Sequence, residues 1–342
     1  MLVFIQVRKN PGQCKEPMPP RKPSRPQPLH PRPQPDAAPE IVDPAWLGGA
    51  ILICLVAALI CSWLAVCLLV YQGEWQLVLH PSHGIDKKPA SVGLTYEPIR
   101  FDAAETGQPR LTGWWIPVVA AAPAQSAPLQ FTNTPKYAAY TVLYLHDGWG
   151  SLSNSLPLLE LLHGAGINVF AIDYRGFGAS DASVHPTEAR MAEDTAAALD
   201  YLVDTRHIAS QTILPYGEGL GASLAVGLAR RHPELPAVIL EDPDPDPTAT
   251  AVAARPSKVI PIRLLFREHF EIAAPLAALA TPKLLLIGGP ISIADVGRRR
   301  AIQTLYRKAA MPSVEVTLTP KHLEDNYRNG LTRFLDEYLP PR

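Results

Sequence analysis

The chain has 342 residues, of which 31 are basic and 32 acidic, giving a formal net charge of −1 at pH 7. This length is sufficient for one large α/β domain with additional segments. The near-neutral balance provides no excess of positive charge for a polyanion, so no nucleic-acid partner is expected.

The N-terminal 44 residues are rich in proline and hold twelve of the 37 prolines in the chain. Such a segment lacks the apolar side chains needed to bury a core, and it favours extended, polyproline-like backbone. We predict that residues 1–44 form a disordered tail that acts as a solvated spacer. The alternative interpretation is a ligand for a groove-type domain that recognises proline-rich peptides.

Residues 45–71 contain no charged side chain. About 20 helical residues are enough to cross the apolar part of a bilayer, so this stretch predicts a transmembrane helix. A cleavable signal peptide starts nearer to the N-terminus and has a shorter apolar region. The pattern therefore favours an uncleaved signal anchor.

Positive charge is concentrated before this span, whereas the segment after it has no lysine or arginine until Lys87. The preceding basic residues are Arg8, Lys9, Lys15, Arg21, Lys22, Arg25 and Arg32. Segments that flank a span and carry an excess of lysine and arginine remain in the cytoplasm. We therefore predict a single-pass membrane protein with a cytoplasmic N-terminus. Its folded domain is expected outside the cytoplasm, in the periplasm if the source is bacterial.

None of the four cysteines lies in the predicted folded domain, because Cys14 is in the tail and Cys54, Cys61 and Cys67 are in the span. Disulfide bonds and a cysteine-based metal site are thereby excluded from that domain. The aspartate–proline repeat at residues 242–247 lacks the spacing of a calcium-binding loop. We predict no metal and no cofactor.

Residues 72–93 are predicted to be a juxtamembrane connector, followed by an α/β domain over residues 94–342. The domain is expected to open with an antiparallel pair of strands over 94–101 and 111–118. Apolar runs then alternate with amphipathic helices, which predicts a mainly parallel sheet covered by helices on both faces. Further strands are predicted at 137–146, 167–174, 212–216, 237–241, 283–287 and 313–318, with helices at 156–163, 186–202, from 221, at 293–309 and at 324–338.

Four motifs occur along this domain: YLHDGWGSLSN, NVFAIDYRGFGAS, YGEGLGASLAVGLA and KHLEDNYRNGLTRFLDEYL. Their order and spacing resemble the α/β-hydrolase fold. Within it, the chain is similar to the serine aminopeptidase-like, membrane-anchored branch related to the bud-emergence-type hydrolases. The resemblance extends from about Trp75 to the C-terminus. It implies a site with a hydroxyl nucleophile, a histidine base, an acid and backbone N–H donors.

The nucleophile position of this resemblance falls on Gly219, the middle residue of Gly217-Glu218-Gly219-Leu220-Gly221. Glycine accepts the strained backbone conformation of such a turn but carries no hydroxyl, so the nucleophile is predicted to be missing. Ser223 lies one helical turn later. We interpret it as a helix hydroxyl bonded within its own helix rather than as a relocated nucleophile.

The resemblance places the general base at His322, between the last strand and the last helix. The position of the acid falls on Ser292 or Ile291 and is therefore vacated, while Asp295 comes about one helical turn late. Asp242 is an alternative acid, because some relatives carry the acid after the preceding strand. The neighbouring candidates there are Glu241, Asp244 and Asp246, although a rigid, solvated Asp–Pro turn is the favoured interpretation of this segment.

The backbone donors of the oxyanion hole are assigned by the resemblance to Leu220 and to Asp147, in the loop that begins at His146. Relatives have His-Gly where this chain has His146-Asp147. A carboxylate that faced the hole would oppose the negative charge that the hole stabilises. Its direction is left open by the sequence.

These changes lead to the hypothesis of a membrane-tethered pseudo-hydrolase whose pocket binds an acyl or peptide-like ligand or a protein partner. The alternative is an active hydrolase with a relocated nucleophile, or with a water activated by His322 or Glu218. A third interpretation makes the anchor and the tail the functional part, with the domain as a contact surface.

Overall fold

A computed structural model describes residues 43–84, 86–103, 110–118, 135–254, 259–288 and 293–339. The contacts divide the chain into two units, Met1–Ala58 and Leu59–Arg342. In the first unit, the described residues are Asp43 and the beginning of a long apolar helix. The predicted tail, residues 1–44, lies almost entirely outside the described residues.

The secondary structure follows the predicted alternation closely. The helices are α1 (Pro44–Gln72), α2 (Leu156–Gly164), α3 (Glu188–Asp200), α4 (Gly221–Arg231), α5 (Pro247–Ala254), α6 (Ile262–Leu265), α7 (Ala273–Ala278), α8 (Ile293–Tyr306) and α9 (Leu323–Tyr338). The strands are β1 (His80–Pro81), β2 (Glu97–Asp102), β3 (Arg110–Ile116), β4 (Thr141–Leu145), β5 (Trp149–Gly150), β6 (Asn168–Asp173), β7 (Ile213–Glu218), β8 (Val238–Glu241), β9 (Lys283–Ile287) and β10 (Ser313–Thr317).

Eight strands form one twisted layer in the order β10-β9-β8-β7-β4-β6-β3-β2. The predicted antiparallel pair is β2 and β3, and β3 also runs antiparallel to β6. All other neighbours in this sheet are parallel. The mainly parallel sheet expected from the sequence is confirmed.

Two apolar cores cover the two faces of this sheet. One core contains residues of α3, α4 and α8, among them Met191, Leu224 and Ile302. The other contains residues of α2 and α9, among them Leu159 and Phe334. Because both faces are covered, all five residues of β4 are buried, as their nearly unbroken apolar run requires.

Several predicted elements differ in detail from the structure; the strand predicted at 137–146, for example, is confined to Thr141–Leu145. The helix expected from residue 186 begins at Glu188, because the Thr187 side chain accepts a hydrogen bond from the Arg190 N–H and caps it. The segment between β8 and β9, predicted to be irregular, contains the short helices α5, α6 and α7. We call the described parts of this segment, residues 242–254 and 259–282, the lid.

α1 is long and apolar enough to cross a membrane, with a mean hydropathy of 2.9 in its most apolar window. At ~1.5 Å per residue its 29 residues measure ~43 Å, more than the ~30 Å apolar layer of a bilayer. Trp46 and Tyr71 lie near its two ends, where aromatic side chains favour the membrane–water interface.

The segment predicted as a connector, residues 72–93, is instead packed into the domain. Val78 and Leu79 are buried in the same core as α4. Glu74, only two residues after the end of α1, is also buried, and its carboxylate accepts hydrogen bonds from the Arg267 backbone and side chain. The apolar runs in this segment are too short to show a helical or strand periodicity, so their burial could not be predicted from the sequence.

Truncation of the buried Leu79 tests this packing. We expect Leu79→Ala to lower the free energy of unfolding by about 2–5 kcal/mol, because it leaves a cavity in the core. Leu323→Ala, at an exposed leucine of α9, is the matched control and should cost well under half as much. Thermal unfolding of the full chain in detergent measures the loss of stability in each of the two variants. Equal losses would contradict the packing of this segment.

Candidate functional site

The turn between β7 and α4 has the backbone geometry of a nucleophile-bearing turn. We call Gly217–Gly221 the elbow. Gly219 has φ 57°, in the left-handed region that glycine adopts without strain. Its N–H donates to the Glu241 carbonyl at 3.0 Å, which fixes the elbow to the end of β8. At Gly221 any Cβ would overlap the Leu145 carbonyl, so the elbow requires glycine there to pass this close to β4.

The carboxylate of Asp147 fills the space above the elbow. Its Oδ1 accepts hydrogen bonds from the Leu220 N–H at 2.8 Å and from the Gly148 N–H at 2.7 Å. A Cβ placed on Gly219 would overlap this carboxylate. The Leu220 N–H, one of the two predicted oxyanion donors, is thus bound to the side chain of Asp147, the residue predicted to supply the other.

A buried histidine holds the loop that carries Asp147. The Nδ1 of His146 lies 2.6 Å from the Asp147 carbonyl, and the Tyr174 hydroxyl donates to the His146 carbonyl at 3.1 Å. Burial lowers the pKa of His146 to about 4, so the ring is neutral at neutral pH and its Nδ1–H is the donor. Asp173 lies 3.7 Å from the other ring nitrogen, and burial raises its pKa to about 7.

A cavity of about 340 Å³ opens beside Asp147, and we call it the elbow cavity. Its polar wall contains Asp147, Asp244, Thr250, Arg298 and His80. The Thr250 hydroxyl donates to Asp244 at 2.7 Å, while Arg298 donates to the Asp242 carbonyl at 3.0 Å. His80 stacks on Trp149 with ring centroids 4.0 Å apart.

His322, the predicted base, lies at the start of α9 with an exposed side chain. Its backbone N–H donates to the Thr319 carbonyl, but among the described residues its ring has no hydrogen-bond partner. It does not line the elbow cavity. The described contacts therefore do not bring His322 together with Asp147 or the elbow.

The predicted acid positions are only partly described. Ser292 lies outside the described residues. Asp242 has φ 41°, and its carboxylate accepts the Gly288 N–H at 2.7 Å at the end of β9. Burial raises its pKa, opposed by that hydrogen bond. Among the described residues, its carboxylate has no contact with His322.

Two partly buried carboxyl groups lie at facing positions of β7 and β8, and one of them, Glu218, is part of the elbow. The Tyr144 hydroxyl donates to Glu218, and the Tyr216 hydroxyl donates to Glu241. Burial, followed by the charge of Glu218, raises the pKa of Glu241 to about 8. Burial likewise raises the pKa of Glu218. In the sequence, each of these two strands ends in a glutamate, and a tyrosine lies two residues before Glu218. These residues could not be interpreted as hydrogen-bonded pairs from the sequence, because their contacts depend on which strands are neighbours in the sheet.

The sequence matches a known family over residues 138–318, more than half of the chain, described as Hydrolase_4, serine aminopeptidase S33. The chain belongs to the serine aminopeptidase S33 family. This match includes the elbow, the Asp147 loop and the lid.

Relatives of this S33 member support the same assignment. An uncharacterized protein of Mycobacterium tuberculosis strain H37Rv is 28% identical over 236 residues, which cover 68% of this chain and 75% of that protein. Protein bem46 of Schizosaccharomyces pombe is 36% identical over 104 residues, which cover 30% of this chain and 34% of that protein. The predicted resemblance to the bud-emergence-type branch is thus confirmed.

Among solved structures, an esterase of Pyrococcus furiosus superposes with a TM-score of 0.55 at 18% identity, covering 77% of this chain and 98% of that chain. At this identity the likeness concerns the fold alone. The predicted α/β-hydrolase fold is confirmed.

The buried Glu241 predicts how the stability of this S33 member depends on pH. Because its folded pKa is raised above the unfolded value of 4.5, the unfolded chain ionises first as the pH rises, so Glu241 costs stability between about pH 4.5 and 8. We expect Glu241→Gln to gain thermal stability relative to the parent as the pH is raised from 5 to 8. Melting curves at several pH values measure this gain.

The exposed Glu315 on β10 provides the control for that series, since Glu315→Gln removes the same charge from a solvated site. Comparison of the two variants separates the effect of the Glu241 environment from the general effect of removing one carboxylate. A Glu241→Gln difference that stays constant with pH would show that Glu241 ionises normally in the folded protein.

Proposed function

We propose that this protein is a membrane-anchored, catalytically impaired member of the S33 family that acts by binding a ligand or a protein partner. The observation that carries the proposal is the Asp147 carboxylate, which accepts the Leu220 N–H directly above Gly219. The site has the shape of a hydrolase site, but an internal anion occupies its centre.

The lack of a hydroxyl group at position 219 supports this proposal. Gly219 has no side chain, and the nearest serine along α4 is bonded elsewhere: the Ser223 hydroxyl donates to the Leu220 carbonyl at 2.8 Å. A hydroxyl used in this way within its own helix turn is not poised for attack.

The electrostatics of the elbow support it as well. An oxyanion hole works because its N–H donors are free to bind the charge that develops in the transition state. Here the Leu220 N–H already binds a carboxylate. A second negative charge 4 Å away would be repelled by about 4 kcal/mol at an effective dielectric of ~20. The arrangement thus opposes ordinary ester or amide hydrolysis.

One observation favours a different function, an active hydrolase with a relocated nucleophile. The Asp147 carboxylate occupies the volume that a side chain at position 219 would fill. Carboxylates act as nucleophiles in some enzymes. In that case hydrolysis by the wild-type chain would depend on Asp147, and Asp147→Asn would abolish it.

Labelling with a fluorophosphonate probe tests the proposal on the full chain in detergent. We expect no adduct on the wild type, on Gly219→Ser or on Asp147→Gly. The double variant Gly219→Ser/Asp147→Gly should be labelled at position 219 at least tenfold more than either single variant. The reason is that it restores the hydroxyl and frees the Leu220 N–H together.

Mass mapping of the adduct is the control for this experiment. An adduct on the wild type at Ser223, or a wild-type hydrolysis rate that Asp147→Asn removes, would overturn the impaired assignment. A silent double variant would mean that the missing hydroxyl and the Asp147 carboxylate are not the main defects of the site.

The anchor and its orientation are part of the proposal. The length and composition of α1 support the anchor, and the basic residues that precede it support the orientation. With Cys54, Cys61 and Cys67 replaced by alanine, a membrane-impermeant maleimide should react with Cys14 only after the inner membrane is permeabilised. Glu315→Cys should react in intact spheroplasts or cells, because Glu315 lies on the exposed surface of the domain. The reverse pattern would show the opposite orientation.

A further inference from the structure

The wall of the elbow cavity carries two carboxylates that lack a cationic partner among the described residues. Asp147 uses its Oδ1 to accept the Leu220 and Gly148 N–H groups, and its Oδ2 has no hydrogen-bond partner in the described part of the chain. Asp244 accepts hydrogen bonds from neutral donors, among them the Thr250 hydroxyl at 2.7 Å. None of the ion pairs between described residues includes either carboxylate.

Arg298 contributes a guanidinium to the same wall, but its charge is shared with other acids. It donates to the Asp242 carbonyl at 3.0 Å. Burial raises the pKa of Asp242 and of Glu218, and the charge of Arg298 opposes this rise in both. Neither of these two acids lines the cavity. The wall therefore keeps an excess of negative charge, which favours a cationic occupant.

An exposed tryptophan lies at the rim of the elbow cavity. Trp149 is 63% exposed, and His80 stacks on its ring with centroids 4.0 Å apart. Because His80 covers one face of the ring, the opposite face is the one open to a ligand. The face of an indole ring attracts cations, and exposed tryptophan is typical of the central contacts of protein interfaces.

The combination of an aromatic face and two carboxylates discriminates between cations. No set of three His, Cys, Asp or Glu side chains among the described residues is placed to hold a metal ion. An ammonium group is a compact point charge. A guanidinium is flat, stacks on aromatic rings and directs five N–H donors along a fixed fork. It is therefore the cation that can use the Trp149 face together with Asp147 and Asp244.

The size of the elbow cavity limits how much of a ligand it can hold. Its volume of about 340 Å³ is at the low end of the range of ligand pockets, about 300–1,000 Å³. One long side chain fits such a volume, whereas a folded segment does not. The exposed part of Trp149 adds contact area outside the cavity, which favours a partner that continues beyond the inserted side chain.

We propose that the elbow cavity is the docking site for an arginine side chain of a protein partner. The guanidinium stacks on Trp149 and donates hydrogen bonds to Asp147 and Asp244, while the main chain of the partner crosses the rim. The carboxylate that opposes catalysis at the elbow is then a recognition group. This inference rests on the proposed function, because it names the partner chemistry of the same site.

Ligand-detected NMR on the full chain in non-ionic detergent tests the proposal. The probe is a glycine–arginine–glycine tripeptide with an acetylated N-terminus and an amidated C-terminus, so its guanidinium is its only charge. The measurement is the saturation transferred from the protein to the Cδ protons of the arginine. We expect at least five times the saturation received by the citrulline analogue, which has nearly the same shape but no charge. The lysine analogue should receive less than half of the arginine signal.

Variants of the cavity wall provide the matched comparison. Trp149→Ala removes the stacking face and Asp244→Asn removes a charge, so each should lower the arginine signal at least threefold. Trp46→Ala removes a tryptophan of similar exposure, 66%, and Asp325→Asn removes an exposed carboxylate of α9. Neither residue lines the elbow cavity, so both control variants should leave the signal unchanged. The comparison of arginine with citrulline uses the wild-type chain and so holds even if a wall variant fails to fold.

Three outcomes would overturn the docking inference and leave the impaired site standing, since that assignment depends on fluorophosphonate labelling. The first is equal saturation of the arginine and citrulline peptides. The second is an undiminished signal from Trp149→Ala. The third is displacement of the probe by triglycine amide with a free N-terminus, which would show recognition of an α-amine.

A fourth outcome separates the inference from the proposed function in the other direction. Cleavage of the arginine probe by the wild type, but not by Asp147→Asn, would support the docking of arginine and overturn the impaired assignment.

Discussion

The arrangement of the elbow depends on one charge-assisted hydrogen bond, from the Leu220 N–H to the Asp147 carboxylate. The first N–H of a helix has no partner within the helix and carries part of its positive dipole. In a working hydrolase of this fold, that donor is held in reserve for the transition state. Here that donor already binds a carboxylate, which is the basis of the impaired function proposed above.

Further acidic groups lie close to the same turn. Glu218 and Glu241 lie partly buried at the ends of adjacent strands, and each accepts a hydrogen bond from a tyrosine. The charges of Asp147 and Asp242 raise the pKa of Glu218, after the larger effect of its burial. Surroundings that disfavour the ionisation of a carboxyl group also disfavour the formation of an oxyanion, which supports the proposed loss of activity.

The fold was predictable from the sequence because its signals are local and periodic. The apolar run of β4 and the turn glycines of the elbow are both visible in short windows. The packing of Val78 and Leu79 was not, because their partners are distant in the chain. Asp147 could be recognised as unusual from the sequence, because relatives have glycine there. The direction of its carboxylate could not be predicted, because it depends on how close its loop lies to Leu220 in the folded protein.

The ion pair between Glu74 and Arg267 holds the lid close to the end of α1. Glu74 is bound to the lid two residues after α1 ends, so no flexible stalk separates helix and domain. A linker lets a tethered domain explore a volume that grows with its length. In the membrane-anchored form proposed above, the absence of such a linker would confine the search for a target to the plane of the membrane. Encounter rates would then depend on lateral diffusion and on density per unit area, and a target in bulk solution would itself have to come to the membrane surface.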